Sequence, residues 1–328
     1  MSLTNQQLNS RSQSPLIIPE RIIETDTSTF TEKFNRSPFM FSHNLADHPL
    51  FDLPRLVTLA DTILSQNGRI TCQSSKVSVD RKWADIPPKD QVAECLAQIE
   101  DSESWLLLYN VQIVPEYRAL LEQIIGELEE LTGVPLHKQI TWRDAYIFVA
   151  SPHSITPYHI DHESTFLFQI HGARTANIFN PYDPTILSEQ EIERYYIGDL
   201  SAANYTQEKQ KKANVYPLVA GKGVHHPVRA PHCFQNGNSY SVAMGVHFCM
   251  RPYDLQARIY QVNFILRQLR LEPKPPGKSA LSDKIKIWVM GLLSKRKPGN
   301  KYELIRSGVM KLRSLAELFI GMKKWIKR

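Results

Sequence analysis

The sequence predicts a mainly β protein: a barrel or sandwich of short strands, preceded by mixed α/β elements and followed by helices. Three observations carry that reading. Between Gly133 and Met250 the apolar runs are short, alternating or wholly apolar, rich in aromatic and β-branched residues, and cut by Pro and Gly. Before Gly133 and after Arg251 the apolar residues recur at helical spacing instead. Many short strands in one block favour a barrel or sandwich over a layered α/β fold.

Along the chain, residues 1–35 are Ser/Thr/Gln-rich and read as a flexible lead-in. Leu53, Leu56, Leu59 and Ile63 mark a helix over 53–65, and Val92, Cys95, Leu96 and Ile99 a second over 90–99. Residues 105–109 read as a buried strand. The clearest helix is 115–131, with Pro115 at its start and Gly133 as its stop. Strands are expected at 145–150, 164–170, 173–179, 215–219, 223–228, 232–235 and 240–249. One helix, 188–196, interrupts them, and its Ser188-x-x-Glu191 start fits a capping box. Helical pattern returns from Arg251. A Pro-rich linker, 272–277, separates it from two further helical pieces, 283–293 and 302–327. This organises the chain as 1–35, a domain over 36–250 with its β core at 140–250, and a helical region over 251–328.

The 328 residues are 42% hydrophobic and 22% charged, which excludes disordered and fibrous classes. The net charge of +6 is uneven. Residues 271–328 hold 15 Lys+Arg against 4 Asp+Glu, a net of +11, so the remainder carries 24 basic against 29 acidic residues, a net of −5. Any anionic partner is therefore a partner of the tail: an anionic membrane surface or an acidic protein. The same helices could instead pack on the body or on a second copy as a homodimer. No nucleic-acid reader motif accompanies the charge. Cys72, Cys95, Cys233 and Cys249 show neither disulfide-framework nor metal-type spacing. With a polar N-terminus and no run of ~18 apolar residues, the expected setting is cytoplasmic.

The chemistry concentrates in the β block. His159-Ile-Asp161 places an imidazole and a carboxylate two residues apart, on one face if they share a strand. These are two thirds of a 2-His-1-carboxylate triad, which suits non-haem Fe(II) and leaves positions open. The third ligand would be a later histidine: His225, His226, His232 or His247. His153, His162 and His171 have the wrong spacing or face and read as loop or surface residues. Cys233 and Cys249 read as core cysteines.

The surrounding text is specific. Thr156-Pro-Tyr-His159-Ile-Asp161 is followed by Gln169-Ile-His-Gly172-Ala-Arg174 and then Phe179-Asn-Pro181. Downstream come Gly223, Pro227, His232 and Asn236. The stretch resembles the JmjC/cupin-like Fe(II)/2-oxoglutarate-dependent dioxygenases, most of all the asparaginyl hydroxylase of hypoxia-inducible factor and bacterial cupin-like relatives. The resemblance spans about 39–250 and is strongest from Tyr146. Two features depart from it: Gly221-Lys-Gly223 stands where the family has Gly-Asp, and Ala230-Pro231 where it has two tryptophans.

The resemblance implies a double-stranded β-helix, the jelly-roll or cupin barrel. It implies Fe(II) held by His159, Asp161 and His232, with His226 the alternative if the register shifts. It implies 2-oxoglutarate and O2 as co-substrates, with Arg174 and Thr156 on the distal carboxylate, Tyr146 and Phe148 on the pocket wall, and Thr165 and His247 toward the chelating end. The implied reaction is hydroxylation of a peptide or protein side chain, with a small biosynthetic molecule as the alternative substrate. A non-catalytic ligand-sensing module is the rival from another class. Residues 181–214, between the two motif halves, are expected to cover the mouth of the site.

Overall fold

The structure, a computed structural model, describes residues 18–82, 92–295, 303 and 306–314. Its strands are β1 (Phe39–Ser42), β2 (Ile70–Ser74), β3 (Ser104–Leu108), β4 (Ile140–Ala150), β5 (Ile155–His159), β6 (Ser164–His171), β7 (Ala173–Ile178), β8 (Asn214–Val219), β9 (Lys222–His226), β10 (His232–Asn236) and β11 (Ser241–Met250). They form two antiparallel sheets, one in the order β1-β9-β6-β11-β4-β3-β2 and one in the order β5-β10-β7-β8. From β4 onward the chain passes back and forth between the sheets, an arrangement consistent with a cupin-like jelly roll. Leu167, Ala176, Ile178, Leu218, Val224, Phe234 and Ala243, drawn from both sheets, fill the space between them.

Burial explains why these strands read as they do. Every residue of β11 is buried, because β11 lies inside the large sheet between β4 and β6 and is covered on both faces. A strand covered twice has no reason to alternate, so Ser241–Met250 reads as one apolar run. β7 instead alternates half-buried with buried residues, and Arg174, Ala176 and Ile178 form its inner face. Gly172, between β6 and β7, takes φ +70°, and a Cβ there would collide with the carbonyl of Tyr240.

The outer face of the large sheet is covered by the helices α1 (Thr27–Lys33), α2 (Leu53–Ser65), α3 (Val92–Ala97) and α4 (Pro115–Thr132). α4 begins at Pro115 and ends where Gly133 enters the left-handed region, its N–H reaching the carbonyl of Glu129. Tyr117, Leu120, Leu121, Ile124, Ile125, Leu128 and Leu131 form its buried stripe. On the other side lie α5 (Glu189–Tyr196), α6 (Arg251–Gln268) and α7 (Ala280–Leu293). The capping box of α5 is complete: Ser188 Oγ accepts from the Glu191 N–H, and Glu191 Oε2 accepts from the Ser188 N–H at 2.8 Å.

Residues 18–35 are not a loose lead-in. Ile22, Ile23 and Phe30 are fully buried in the main core. Their backbone is held by Glu127 of α4, whose carboxylate accepts from the N–H groups of Ile22 (2.9 Å) and Ile23 (2.8 Å) and from Gln123 Nε2 (3.0 Å). A carboxylate turned inward on an otherwise apolar stripe carries no sequence signal when its partners lie over 100 residues away. The expected helix over 302–327 lies largely outside the described residues. So do residues 1–17, and 90–91 of the expected helix over 90–99.

Glu127→Ala should leave two buried backbone donors unpaired and lower unfolding stability by about 2–3 kcal/mol. Urea unfolding tests this; an unchanged midpoint would show that the carboxylate does not pin the N-terminal segment.

Candidate metal and anion site

Three potential ligands come from two neighbouring strands and the loop that follows one of them. His159 is the last residue of β5 and His232 the first of β10, and the two stand opposite each other in register. Their ring centroids lie 4.2 Å apart. Asp161 lies two residues past the end of β5, so its carboxylate is presented by a loop and not by the face of a strand. That loop is tied to the turn before β10, where Arg229, at φ +64°, donates its N–H to the Asp161 carbonyl at 2.9 Å. Asp161 Oδ2 sits 3.5 Å from His159 Nε2 and 3.8 Å from His232 Nε2. One ligand atom from each of the three residues falls within 4.8 Å of the others.

Each imidazole is fixed in one tautomer by the backbone two residues before it. His159 Nδ1 donates to the Pro157 carbonyl at 2.7 Å, and His232 Nδ1 to the Ala230 carbonyl at 2.9 Å. With the proton held on Nδ1, each Nε2 offers its lone pair toward the carboxylate. Two neutral imidazoles and one carboxylate form a donor set of charge −1, suited to a divalent cation.

The other histidines separate cleanly. His226 is buried beside His232, ring centroids 4.2 Å apart, but is not one of the three converging groups. Burial, and then the neighbouring His232, hold its pKa well below the usual histidine range. His225 is a core residue: its Nε2 accepts from the Asn35 N–H, its Nδ1 donates to the Thr165 carbonyl, and its ring stacks on Phe166 at 4.3 Å. Burial pushes its pKa down to about 3. His153 is exposed, and His171 pairs with Asp47 at the surface.

His162 corrects the surface assignment. It is fully buried, its Nε2 donating to Asp254 Oδ1 and its Nδ1 accepting from the Tyr196 hydroxyl, each at 2.8 Å. Asp254 Oδ2 accepts in turn from Thr141 Oγ1 at 2.6 Å. His162, Cys249 and Asp254 also bring ligand atoms within 4.8 Å. Both ring nitrogens of His162 already have hydrogen-bond partners, so the group reads as a pin. It fixes the residue after Asp161 to α5 and α6. The partners lie 34 and 92 residues away, and nothing local in the sequence marks them.

Arg174 enters the same cavity from β7. The cavity also takes in Thr156, Tyr146, Phe148, Thr165 and His247, and Tyr195 and Leu200 close it from the segment between β7 and β8. Thr165 Oγ1 and His247 Nδ1 are 3.0 Å apart, and the Tyr146 ring lies 4.4 Å from that of His247. The Arg174 guanidinium is buried. Nη2 donates to Ser241 Oγ at 2.7 Å, Ser241 donates to Asn236 Oδ1 at 2.7 Å, and Asn236 Nδ2 donates to the carbonyls of Ala150 and Ser151. Nε has no partner, and among the described residues no carboxylate pairs with the cation. Burial alone pulls its pKa down to about 10. The group stays charged at neutral pH, so the desolvation cost persists there, and an anion entering the cavity would relieve it. Ser241 escaped the sequence reading because an isolated serine carries no pattern.

No protein-family profile and no curated protein matches the chain. Among solved structures, ycfD of E. coli is similar at 14% identity over 85% of this chain and 74% of that one, with a TM-score of 0.48. The Escherichia coli ribosomal oxygenase YcfD in complex with cobalt and 2-oxoglutarate is similar at 14% identity over 85% and 73%, TM-score 0.46. The complex with cobalt and succinic acid gives 15% identity over 88% and 70%, TM-score 0.44. At these identities and scores, function must be read from the residues of the site.

Two outcomes are expected. Succinate and other small dicarboxylates should raise the melting temperature of the wild type. Arg174→Met should abolish that rise while itself melting no lower, because it removes a desolvated charge; equal stabilisation of both proteins would rule Arg174 out as the anion site. His162→Phe should weaken Co(II) binding by about 10–100-fold, the usual range for a residue supporting a ligand. Isothermal titration reads that change, and an unaltered affinity would leave His162 with a purely structural part.

Proposed function

We propose that the chain is an Fe(II)- and 2-oxoglutarate-dependent oxygenase acting on a peptide or protein side chain. One observation carries the reading: a single cavity holds both a converging His–Asp–His set and a buried arginine with no anionic partner among the described residues. A metal site alone would fit many chemistries, and a buried cation alone would fit many anions. Together they fit a dianion that chelates a metal at one end and carries a carboxylate at the other. The jelly-roll strand order supports a double-stranded β-helix as the frame.

In this reading His159 and His232 hold Fe(II) through Nε2 and Asp161 through one carboxylate oxygen, and Ser241 and Asn236 hold the Arg174 guanidinium in place. Arg174 offers a distal carboxylate its unpartnered Nε and remaining Nη donors, a fork that lysine lacks. Thr156 adds a hydroxyl on the same wall. Tyr146, Phe148, Thr165 and His247 form the wall opposite. Tyr195 and Leu200 narrow the access of water to the metal side. When bound there, iron and 2-oxoglutarate supply with O2 the oxidising chemistry that hydroxylates a C–H bond while 2-oxoglutarate becomes succinate and CO2. The peptide substrate follows from the resemblance of the two motif halves to protein hydroxylases.

Anaerobic addition of Fe(II) and 2-oxoglutarate should produce a weak visible charge-transfer band, lost in His159→Ala/Asp161→Ala. Slow uncoupled succinate formation should occur in the wild type and in His226→Ala but not in His232→Ala. A band that survives the double substitution would sink the ligand assignment. A wild type that binds both ligands yet forms no succinate would favour a sensor.

A further inference from the structure

α7 is apolar on two opposite faces. One face is packed: Met290 is fully buried in a cluster with Val262, Ile265 and Leu312, and buried Lys286 donates its Nζ to the Lys274 carbonyl at 3.0 Å. The Met290 carbonyl accepts from Arg258 of α6, and Asp283 accepts from the Gly277 N–H at 2.7 Å. These contacts hold the helix firmly on α6. The opposite face carries Leu281, Ile285, Trp288 and Leu292, spaced four, three and four residues apart, a single stripe along the helix. They are 72%, 53%, 65% and 66% exposed. Four large apolar side chains in one bare row are unusual on a soluble surface and mark an interaction site.

We propose that this stripe seats the protein on an anionic lipid surface, as an interfacial helix lying in the plane of the headgroups. Charge decides among the occupants. The stripe belongs to the segment of net +11, while the rest of the chain is −5. Lys278 and Lys284 are exposed around it, and Arg306 and Lys311 follow on the next described turns. Among the described acids of this segment, Asp283 accepts from the Gly277 N–H and Glu303 pairs with Lys295, while Glu272 lies in the linker before the helix. A leucine, isoleucine and tryptophan stripe beside lysines is the composition of a helix that enters the headgroup boundary under electrostatic attraction. The acidic body would be repelled, which leaves α7 as the face that meets the lipid. A second copy is disfavoured, because mating two stripes brings +11 against +11, and four side chains fall short of the ~800 Å² per partner of a standard interface. The chain that follows does not cover the stripe within the described residues: Leu312 packs with Met290, on the far side of the helix. No described helix is long and apolar enough to cross a membrane, so the attachment is peripheral.

The test is flotation of the full-length protein with phosphatidylcholine vesicles, with and without phosphatidylserine. Binding is expected only to the phosphatidylserine-containing vesicles and should weaken as salt rises. Trp288→Ser/Leu292→Ser should reduce it at least about tenfold while leaving the melting temperature and uncoupled succinate formation unchanged, since both side chains are exposed and neither lines the cavity. Absence of binding, or equal binding by the double variant, overturns the proposal. So does sedimentation showing a dimer that the double variant dissolves, or capture by an acidic protein with none by vesicles.

Discussion

The register of β10 is the constraint on which the rest of this molecule depends. β10 lies between β5 and β7, and its alternate residues His232, Phe234 and Asn236 face inward. At its start, His232 stands opposite His159 on one side and Ile178 on the other; at its end, Asn236 stands opposite Arg174. Five residues of one strand therefore set the His–Asp–His end and the Arg174 end of the cavity, about 13 Å apart along the backbone at ~3.3 Å per residue. A slip of one residue would turn His232 outward and take the Arg174 support with it. The packing of Phe234 with Ala176, Ile178 and Leu218 stabilises that register, so the apolar filling and the chemistry are set by the same pairing.

The register also accounts for the tolerance of an unpaired buried cation. A desolvated guanidinium without a counter-ion is costly, and a sequence selected for stability alone would place an apolar residue at 174. The Ser241–Asn236 chain offsets part of that cost by giving one Nη a partner and anchoring the chain on the carbonyls of Ala150 and Ser151. It leaves Nε open. Local consistency fails here, at the position where an anion would restore it.

The β block was legible because a strand buried on both faces must read as a continuous apolar run, and the ends of α4 because Pro115 and Gly133 each suit one backbone conformation. β1 and β2 were not legible: each is four or five residues long, and β2 keeps only Cys72 buried. The His159 and Asp161 pair was found through a strand periodicity that only His159 obeys. The two groups converge because the loop bends and Arg229 ties it down, a contact across 68 residues that no local pattern encodes. His162 was misread for the same reason. A histidine beside Asp161, in a loop rich in polar residues, reads as solvated until Tyr196 and Asp254 are brought to it.

Those two partners connect the site to the rest of the C-terminal half. Tyr196 ends α5, whose Tyr195 lines the cavity, and Asp254 lies in the first turn of α6. Arg267, near the end of α6, holds Glu193 of α5 at 2.8 Å, so the last turn of α5 is tied to α6 directly and, through His162, to Asp254. Tyr195, which lines the cavity, lies between Glu193 and Tyr196, the two residues of α5 so held. The His162–Asp254 contact is buried and the Arg267–Glu193 pair half-buried, and both are charge-assisted. α6 in turn carries α7 through Met290 and Arg258. The basic segment is thereby joined to the cavity through packed helices, with His162 as the last link before Asp161.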